Sequence, residues 1–182
     1  HADVAIPTQD DVQLVSGLSF INQARDPLRQ PPPVPWERRL KTAVFRGTGT
    51  GPGTLDSGPS ANQRFALARI AANAAVDPTL AAGNALDGAA YFDAGVTSFN
   101  VRPRKDAGAP LSMADPRRLN FVPVRPLSPA AQYAHRYLVY VDGHGLAFRL
   151  LSMFLSGSAV LYVASRTDAV GWYSPLFVPW VH

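Results

Sequence analysis

The chain has 182 residues, of which 47% are hydrophobic and 16% are charged, and its formal net charge is +4 at neutral pH. This apolar content suffices for one packed domain and argues against a disordered chain. Cysteine is absent, which excludes disulfides and cysteine-based zinc sites. No apolar run reaches the roughly 18 residues that a membrane-spanning helix needs.

The basic residues are biased toward arginine, because Lys41 and Lys105 are the only lysines among 17 basic residues. Arginine binds phosphate and carboxylate through a planar fork of donors, so the bias suits an anionic ligand. A genome whose codons favour arginine gives the same bias. Both interpretations remain open at this point.

The first predicted region, residues 1–40, is rich in proline and is predicted to be a surface connector. Consecutive prolines in residues 30–35 indicate extended, polyproline-like backbone. The remaining residues, 41–182, are predicted to form one domain.

The first structured unit is a strand near 42–47, a loop of small residues at 48–53 and a helix that begins near Ser60, a suitable N-cap. Helical spacing predicts that four residues face the core: Phe65, Ala68, Ile70 and Ala71. After a mixed stretch, residues 80–90 favour a short helix.

The second unit comprises a strand at 136–141, a turn at 142–145 and an apolar helix at 146–155 with Gly157 at its C-cap. A strand without alternation follows at 159–163, which is typical of a strand covered on both faces. Strand, crossover helix and strand in so short a span make a βαβ unit with parallel strands. The predicted class is α/β with a Rossmann-like parallel sheet.

Both units have an arginine near the predicted start of the helix, Arg64 in the first and Arg149 in the second. Helix N-termini, close-approaching glycine backbone and arginine forks bind phosphate at the carboxyl ends of parallel strands. Arg149 lies within a predicted apolar helix, and a charge there needs a partner. That partner is a phosphate, or else a nearby carboxylate or solvent reached by snorkelling.

The loop after Phe45 lacks the Gly-Lys-Ser/Thr ending of a P-loop and the spacing of a dinucleotide fingerprint. The spacing therefore argues against a dinucleotide oxidoreductase. The four histidines show no metal-ligand spacing. A nucleic-acid-binding module, suggested by the pI of 9.8, fits poorly because the arginines are scattered rather than clustered.

Four blocks in order resemble glycosyltransferase family 90, the Rumi-like protein O-glucosyltransferases and capsule-associated xylosyltransferases. They are residues 3–7, the segment from Trp36 through Val44–Gly51 to Asn62–Arg64, the segment from Arg136 through Asp142–Gly145 to Arg149 and Leu155–Ser158, and Leu176–His182. The resemblance covers nearly the whole chain, and the ordered set is more specific than any one block.

The resemblance implies the C-terminal, donor-binding half of a GT-B enzyme, which binds UDP-glucose or UDP-xylose without a cofactor or metal. It implies inverting transfer of the sugar to a protein or glycan hydroxyl in the lumen of the endoplasmic reticulum or Golgi. It assigns donor and phosphate contacts to ten residues: Arg46, Gly47, Thr48, Gly49, Thr50, Arg64, Gly145, Leu146, Ala147 and Arg149.

The chain departs from the family pattern at several positions. Ala147 replaces a serine, Tyr162 and Arg136 replace lysines, and nothing matches the context of the family's catalytic aspartate, which lies in the preceding half. We therefore expect a fragment that is truncated at both ends and inactive in transfer without its N-terminal half. A sugar-nucleotide-binding pseudoenzyme is the alternative. Neither a nucleic-acid partner nor a transmembrane segment is expected.

Overall fold

The structure, a computed structural model, describes residues 34–51, 62–76, 85–86, 89–101 and 121–164 except 146 and 148, together with 115, 117 and 119. A 3-10 turn at Trp36–Arg38 precedes the first strand. The elements in chain order are β1 (Leu40–Gly49), α1 (Gln63–Val76), β2 (Ala85–Leu86), β3 (Ala89–Ala90), β4 (Phe92–Phe99), α2 (Pro129–Tyr133), β5 (His135–Tyr140), α3 (Leu150–Leu155) and β6 (Ala159–Tyr162).

The described residues contain a four-stranded sheet in the order β4-β1-β5-β6, and every neighbouring pair is parallel. Ala43 in the central strand β1 pairs with Phe92 on one side and with Tyr137 on the other. Parallel pairing requires crossover connections, and β5 reaches β6 through α3. The α/β class and the three predicted parallel strands are confirmed.

Each face of the sheet has its own apolar cluster, because successive strand side chains point to opposite faces. Phe45, Val139 and Val141 lie on one face with Phe65 and Ala68 of α1. Val44, Leu138 and Tyr140 lie on the other face with Leu150 and Met153 of α3. The sheet is therefore packed between α1 and α3, and its carboxyl edge lies beside the first turn of each helix.

Helix α1 begins later than predicted, and one predicted core residue lies on its surface. The Asn62 side chain accepts hydrogen bonds from the backbone N–H groups of Arg64 (3.0 Å) and Phe65 (3.1 Å), so Asn62 is the N-cap. Ser60 lies outside the described residues. Phe65 and Ala68 are buried as predicted, but Ile70 is 54% exposed, because it lies on the helix face turned away from the sheet.

The helix predicted at residues 80–90 is wrong where the structure describes that segment. Residues 85–86 and 89–90 form the antiparallel pair β2 and β3. Strand β4, which follows, was not predicted. Local propensity failed here because the pairing of the backbone, which depends on tertiary context, decides the structure of such short segments.

Helix α3 is shorter than predicted and begins at Leu150. Arg149 therefore precedes the helix as its N-cap residue, which corrects its predicted position inside an apolar helix. The predicted end of the helix is confirmed, since Gly157 has a φ of +74° just after the C-cap Ser156. Such a positive φ favours glycine.

Strand β6 is not covered on both faces as predicted, since Leu161 is 46% and Tyr162 is 43% exposed. Within the described residues β6 is an edge strand that pairs only with β5. Its continuous apolar sequence does not distinguish an edge strand from a central one, which explains the error.

Arg39, near the end of the predicted connector, forms hydrogen bonds with residues that precede β6. Arg39 is buried, and its guanidinium donates to the Val34 carbonyl (2.8 Å), to the Ser158 hydroxyl (2.6 Å) and to the Ser156 carbonyl (2.9 Å). Residues 30–35, for which polyproline-like backbone was predicted, lie almost wholly outside the described residues. None of the described helices has the length and apolar character needed to cross a bilayer.

Candidate anion-binding site

The loops that follow β1 and β5 lie against each other at the carboxyl edge of the sheet. The backbone N–H of Gly51 donates to Nδ1 of His144 (3.2 Å). Gly51 has a φ of +111°, a conformation that side-chain-bearing residues rarely adopt. Because β1 and β5 are parallel neighbours, the residues after both strands reach the same edge.

Arg64 forms hydrogen bonds with the chain ends of both strands. It is 6% exposed, and its guanidinium donates to the carbonyls of Thr48 (2.7 Å), Val141 (2.9 Å) and Asp142 (2.9 Å). These carbonyls lie at the ends of β1 and β5, so part of the donor capacity of Arg64 is used within the fold. A guanidinium has five N–H donors, and donors therefore remain for a ligand.

Arg149 reaches the same place from the other helix. Its Nη1 donates to the Arg46 carbonyl at 2.5 Å, and its guanidinium lies 5.0 Å from the centroid of the Phe45 ring. Arg64 lies over that ring at 5.8 Å. The guanidinium groups of the two arginines that the sequence places near helix starts therefore share one aromatic ring, and we call Arg64, Arg149 and Phe45 the arginine cluster.

The electrostatics of the arginine cluster favour an added anion. Burial and, to a lesser degree, the charge of Arg149 lower the pKa of Arg64 to about 10, against the opposing effects of Asp142 and Tyr140. Burial also lowers the pKa of Arg149. Within the described residues no carboxylate forms an ion pair with Arg149. A bound anion would compensate the charges of the buried Arg64 and the partly buried Arg149.

The helix starts contribute less than predicted. Asn62 already accepts from the backbone N–H groups of Arg64 and Phe65 at the start of α1. Helix α3 has only six residues. The guanidinium groups, rather than free helix N–H groups, are thus the donors that the cluster offers.

The small residues at the end of β1, where a loop was predicted from residue 48 onward, have mainly a packing role in the structure. A Cβ on Gly47 would lie 2.7 Å from Nη2 of Arg149, and one on Gly49 would lie 2.7 Å from the Phe65 ring. The carbonyl of Thr48 accepts from Arg64, and the carbonyl of Thr50 accepts from Asn62 at 3.1 Å. These glycines allow arginine and aromatic side chains to approach the backbone.

The other residues predicted to contact the donor differ in whether they lie at the arginine cluster. The Arg46 guanidinium is paired with Asp93 (Nη2 to each carboxylate oxygen, 2.7 Å), so only its carbonyl joins the cluster. A Cβ on Gly145 would meet no atom within 4 Å. The Ala147 N–H donates to the Tyr140 hydroxyl at 2.9 Å. Leu146 lies outside the described residues.

Two further residues of the edge, Tyr140 and Asp142, were not among the predicted contacts. The buried Tyr140 donates its hydroxyl to Oδ1 of Asp142 at 2.8 Å. Oδ2 of Asp142 is buried without a hydrogen-bond partner. Asp142 belongs to a glycine-rich turn that we did single out, whereas nothing in the local sequence distinguishes Tyr140 from any other apolar strand residue.

A cluster of three or more histidine, aspartate or glutamate residues suited to a metal ion does not occur in the described part of the chain.

Three viral proteins resemble the chain over its entire length. It is 36% identical over 185 residues to Uncharacterized protein 035R of invertebrate iridescent virus 3. It is 29% identical over 210 residues to Uncharacterized protein 179R of invertebrate iridescent virus 6, and 29% identical over 200 residues to Uncharacterized protein 027R of Frog virus 3. The chain spans only 15%, 17% and 18% of these proteins, respectively.

No protein-family model matches the chain, and no solved structure matches it.

Proposed function

We propose that this chain binds the diphosphate of a UDP-sugar and forms the donor-binding part of an inverting glycosyltransferase. The observation that carries the proposal is the pair of guanidinium groups, the buried Arg64 and the partly buried Arg149, over Phe45 at the carboxyl edge of a parallel sheet. Ligands of open α/β sheets bind at this edge. Arginine forks match phosphate oxygens and give charge-assisted hydrogen bonds.

The resemblance to glycosyltransferase family 90 supplies the finer part of the proposal. It supports a Rossmann-like half of a GT-B enzyme, UDP-glucose or UDP-xylose as donor, and a protein or glycan hydroxyl as acceptor. In a transfer without metal, fixed positive groups must stabilise the diphosphate as it leaves. Arg64 and Arg149 have the charge and the placement for that role.

Binding is tested by calorimetric titration of the chain with UDP. Arg149→Ala should weaken UDP binding by about 1.5–3 kcal/mol, the usual contribution of a hydrogen bond to a charged group, which is about 10–100-fold in Kd. Arg38→Ala is the matched control, because Arg38 is exposed and precedes β1 at the opposite edge of the sheet. Undetectable UDP binding by the unaltered chain, or equal Kd values for Arg149→Ala and Arg38→Ala, would contradict the proposal.

Transfer is a separate question, because the viral relatives are much longer than this chain. The full-length protein is incubated with UDP-[14C]glucose or UDP-[14C]xylose and an EGF-like acceptor. Label on the acceptor that is lost in Arg149→Ala supports transfer. UDP binding without label transfer from either donor favours the alternative, a sugar-nucleotide-binding protein without turnover.

A further inference from the structure

The Tyr140 hydroxyl links the backbone that carries Arg149 to the sheet. Tyr140 is fully buried, and its ring stacks on that of Tyr162 with centroids 5.0 Å apart and an interplanar angle of 18°. Its oxygen accepts a hydrogen bond from the Ala147 N–H at 2.9 Å. Ala147 lies two residues before Arg149, and its carbonyl accepts from the Leu150 N–H (3.4 Å) in the first turn of α3. The hydrogen bond between Ala147 and Tyr140 of β5 thus constrains the position of Arg149.

The direction of the Tyr140 hydroxyl is set by Asp142. A carboxylate oxygen accepts hydrogen bonds, and the Tyr140 O–H donates to Oδ1 of Asp142 at 2.8 Å. The same hydroxyl oxygen accepts from the Ala147 N–H. The carbonyl of the same Asp142 accepts from Nε of Arg64 at 2.9 Å. The Tyr140 hydroxyl therefore contacts the carboxylate of Asp142, whereas Arg64 contacts the backbone of the same residue.

We infer that Tyr140 is a positioning residue, which holds Arg149 over Phe45 through the hydrogen bond to Ala147 and so tunes the affinity of the arginine cluster for a diphosphate. This inference rests on the proposed function, because it concerns the same anion site. Its physical basis is pre-organisation: a guanidinium that is already placed loses less freedom when the anion binds.

A double-mutant cycle of Tyr140→Phe and Arg149→Ala tests the inference, with UDP and inorganic pyrophosphate as the two probes. Tyr140→Phe keeps the stacked ring and removes only the hydroxyl. The hydroxyl makes two hydrogen bonds, and loss of the neutral one from Ala147 should weaken the binding of both probes about three- to tenfold. In the Arg149→Ala background the same substitution should change Kd less than about twofold, because the group that it positions is absent.

Tyr137→Phe is the matched control, since Tyr137 lies on the same strand but toward its amino end, against Trp36. It should leave the Kd of both probes unchanged. If Tyr140→Phe does not fold, Ala147→Pro deletes the same hydrogen bond from the donor side and should show the same dependence on Arg149.

The outcomes separate this inference from the proposed function. Folded Tyr140→Phe with unaltered Kd, or effects of Tyr140→Phe and Arg149→Ala that simply add, would overturn the positioning role while leaving the anion site intact. An unaltered Kd in Arg149→Ala itself would instead overturn the proposed function.

Discussion

The guanidinium of Arg149 lies 5.0 Å from the centre of the Phe45 ring, and Arg64 approaches that ring as well. Two like charges held this close repel each other, and the pKa of Arg64 is lowered to about 10 by burial and then by Arg149. The fold tolerates the repulsion because backbone carbonyls and the ring face solvate both cations. An anion that contacts both groups would offset the repulsion, and it would thereby raise the pKa of Arg64.

The turn after β5 offers a matched pair of glycine substitutions. A Cβ on Gly143 would overlap Oγ1 of Thr50 and approach Nη2 of Arg64 to 3.2 Å, whereas a Cβ on Gly145 would meet no atom within 4 Å. The Arg64 guanidinium cannot retreat easily, because three carbonyls hold it. Gly143→Ala should therefore lower the free energy of unfolding by about 1–3 kcal/mol, and Gly145→Ala by less than about 0.5 kcal/mol.

Urea unfolding of the two variants checks this prediction. Neither glycine belongs to the described glycines with positive φ, which are Gly51 and Gly157, so the difference reports on packing and not on backbone strain. Equal unfolding free energies for Gly143→Ala and Gly145→Ala would contradict it.

The strands could be predicted from the sequence to very different degrees. Strands β1, β5 and β6 each contain a short apolar run that favours a strand, although such a run does not show how far the strand is buried. Strand β4 contains Asp93, Gly95 and Ser98 and carries no such pattern. Only the folded structure explains the glycine at position 95, because a Cβ on Gly95 would overlap the Val124 side chain.

The site shows the same division. Arg64 and Arg149 could both be predicted because each follows a strand and a glycine-rich loop. Parallel topology brings the ends of neighbouring strands together. The hydrogen bonds that hold the two arginines and their loops in place could not be predicted. The Tyr140 hydroxyl contacts Ala147, and the Asn62 amide contacts the Thr50 carbonyl; such bonds depend on loop geometry, which residue spacing does not specify.

His135 makes stability depend on pH. Burial lowers its pKa below the ordinary value of 6.5, and nearby Arg46 acts in the same direction, while the Thr42 carbonyl and Asp93 oppose this. Below about pH 6.5 the unfolded chain takes up a proton that the folded chain resists, so the unfolded state binds more protons and stability falls as pH falls. Stability should therefore be lower at pH 5.5 than at pH 7.5.

The substitution His135→Gln isolates this contribution from that of the carboxylates. The loss of unfolding free energy between pH 7.5 and pH 5.5, measured by urea denaturation, should be smaller in His135→Gln than in the unaltered chain. The same loss in both proteins would show that His135 titrates alike in the folded and unfolded states.

Gly47→Ala should weaken anion binding with little effect on stability. A Cβ at this position would lie 2.7 Å from Nη2 of Arg149 and 3.3 Å from the tip of the Phe45 ring. Nη2 is the far end of a long side chain, so the guanidinium should move away while β1 stays in place. We expect the free energy of unfolding to fall by less than about 1 kcal/mol and the Kd for UDP to rise several-fold.

Gly49→Ala on the same strand is the contrasting variant. Its Cβ would lie 2.7 Å from the ring of Phe65 and 3.2 Å from the Ser98 carbonyl, and Phe65 is fully buried. Neither neighbour can move without disturbing the core, so Gly49→Ala should lower stability by about 1–3 kcal/mol.

In the Arg149→Ala background Gly47→Ala should no longer alter the Kd, because the displaced group is absent. A Kd for UDP that stays constant in Gly47→Ala alone would show that anion binding does not require the guanidinium of Arg149 at its position over Phe45.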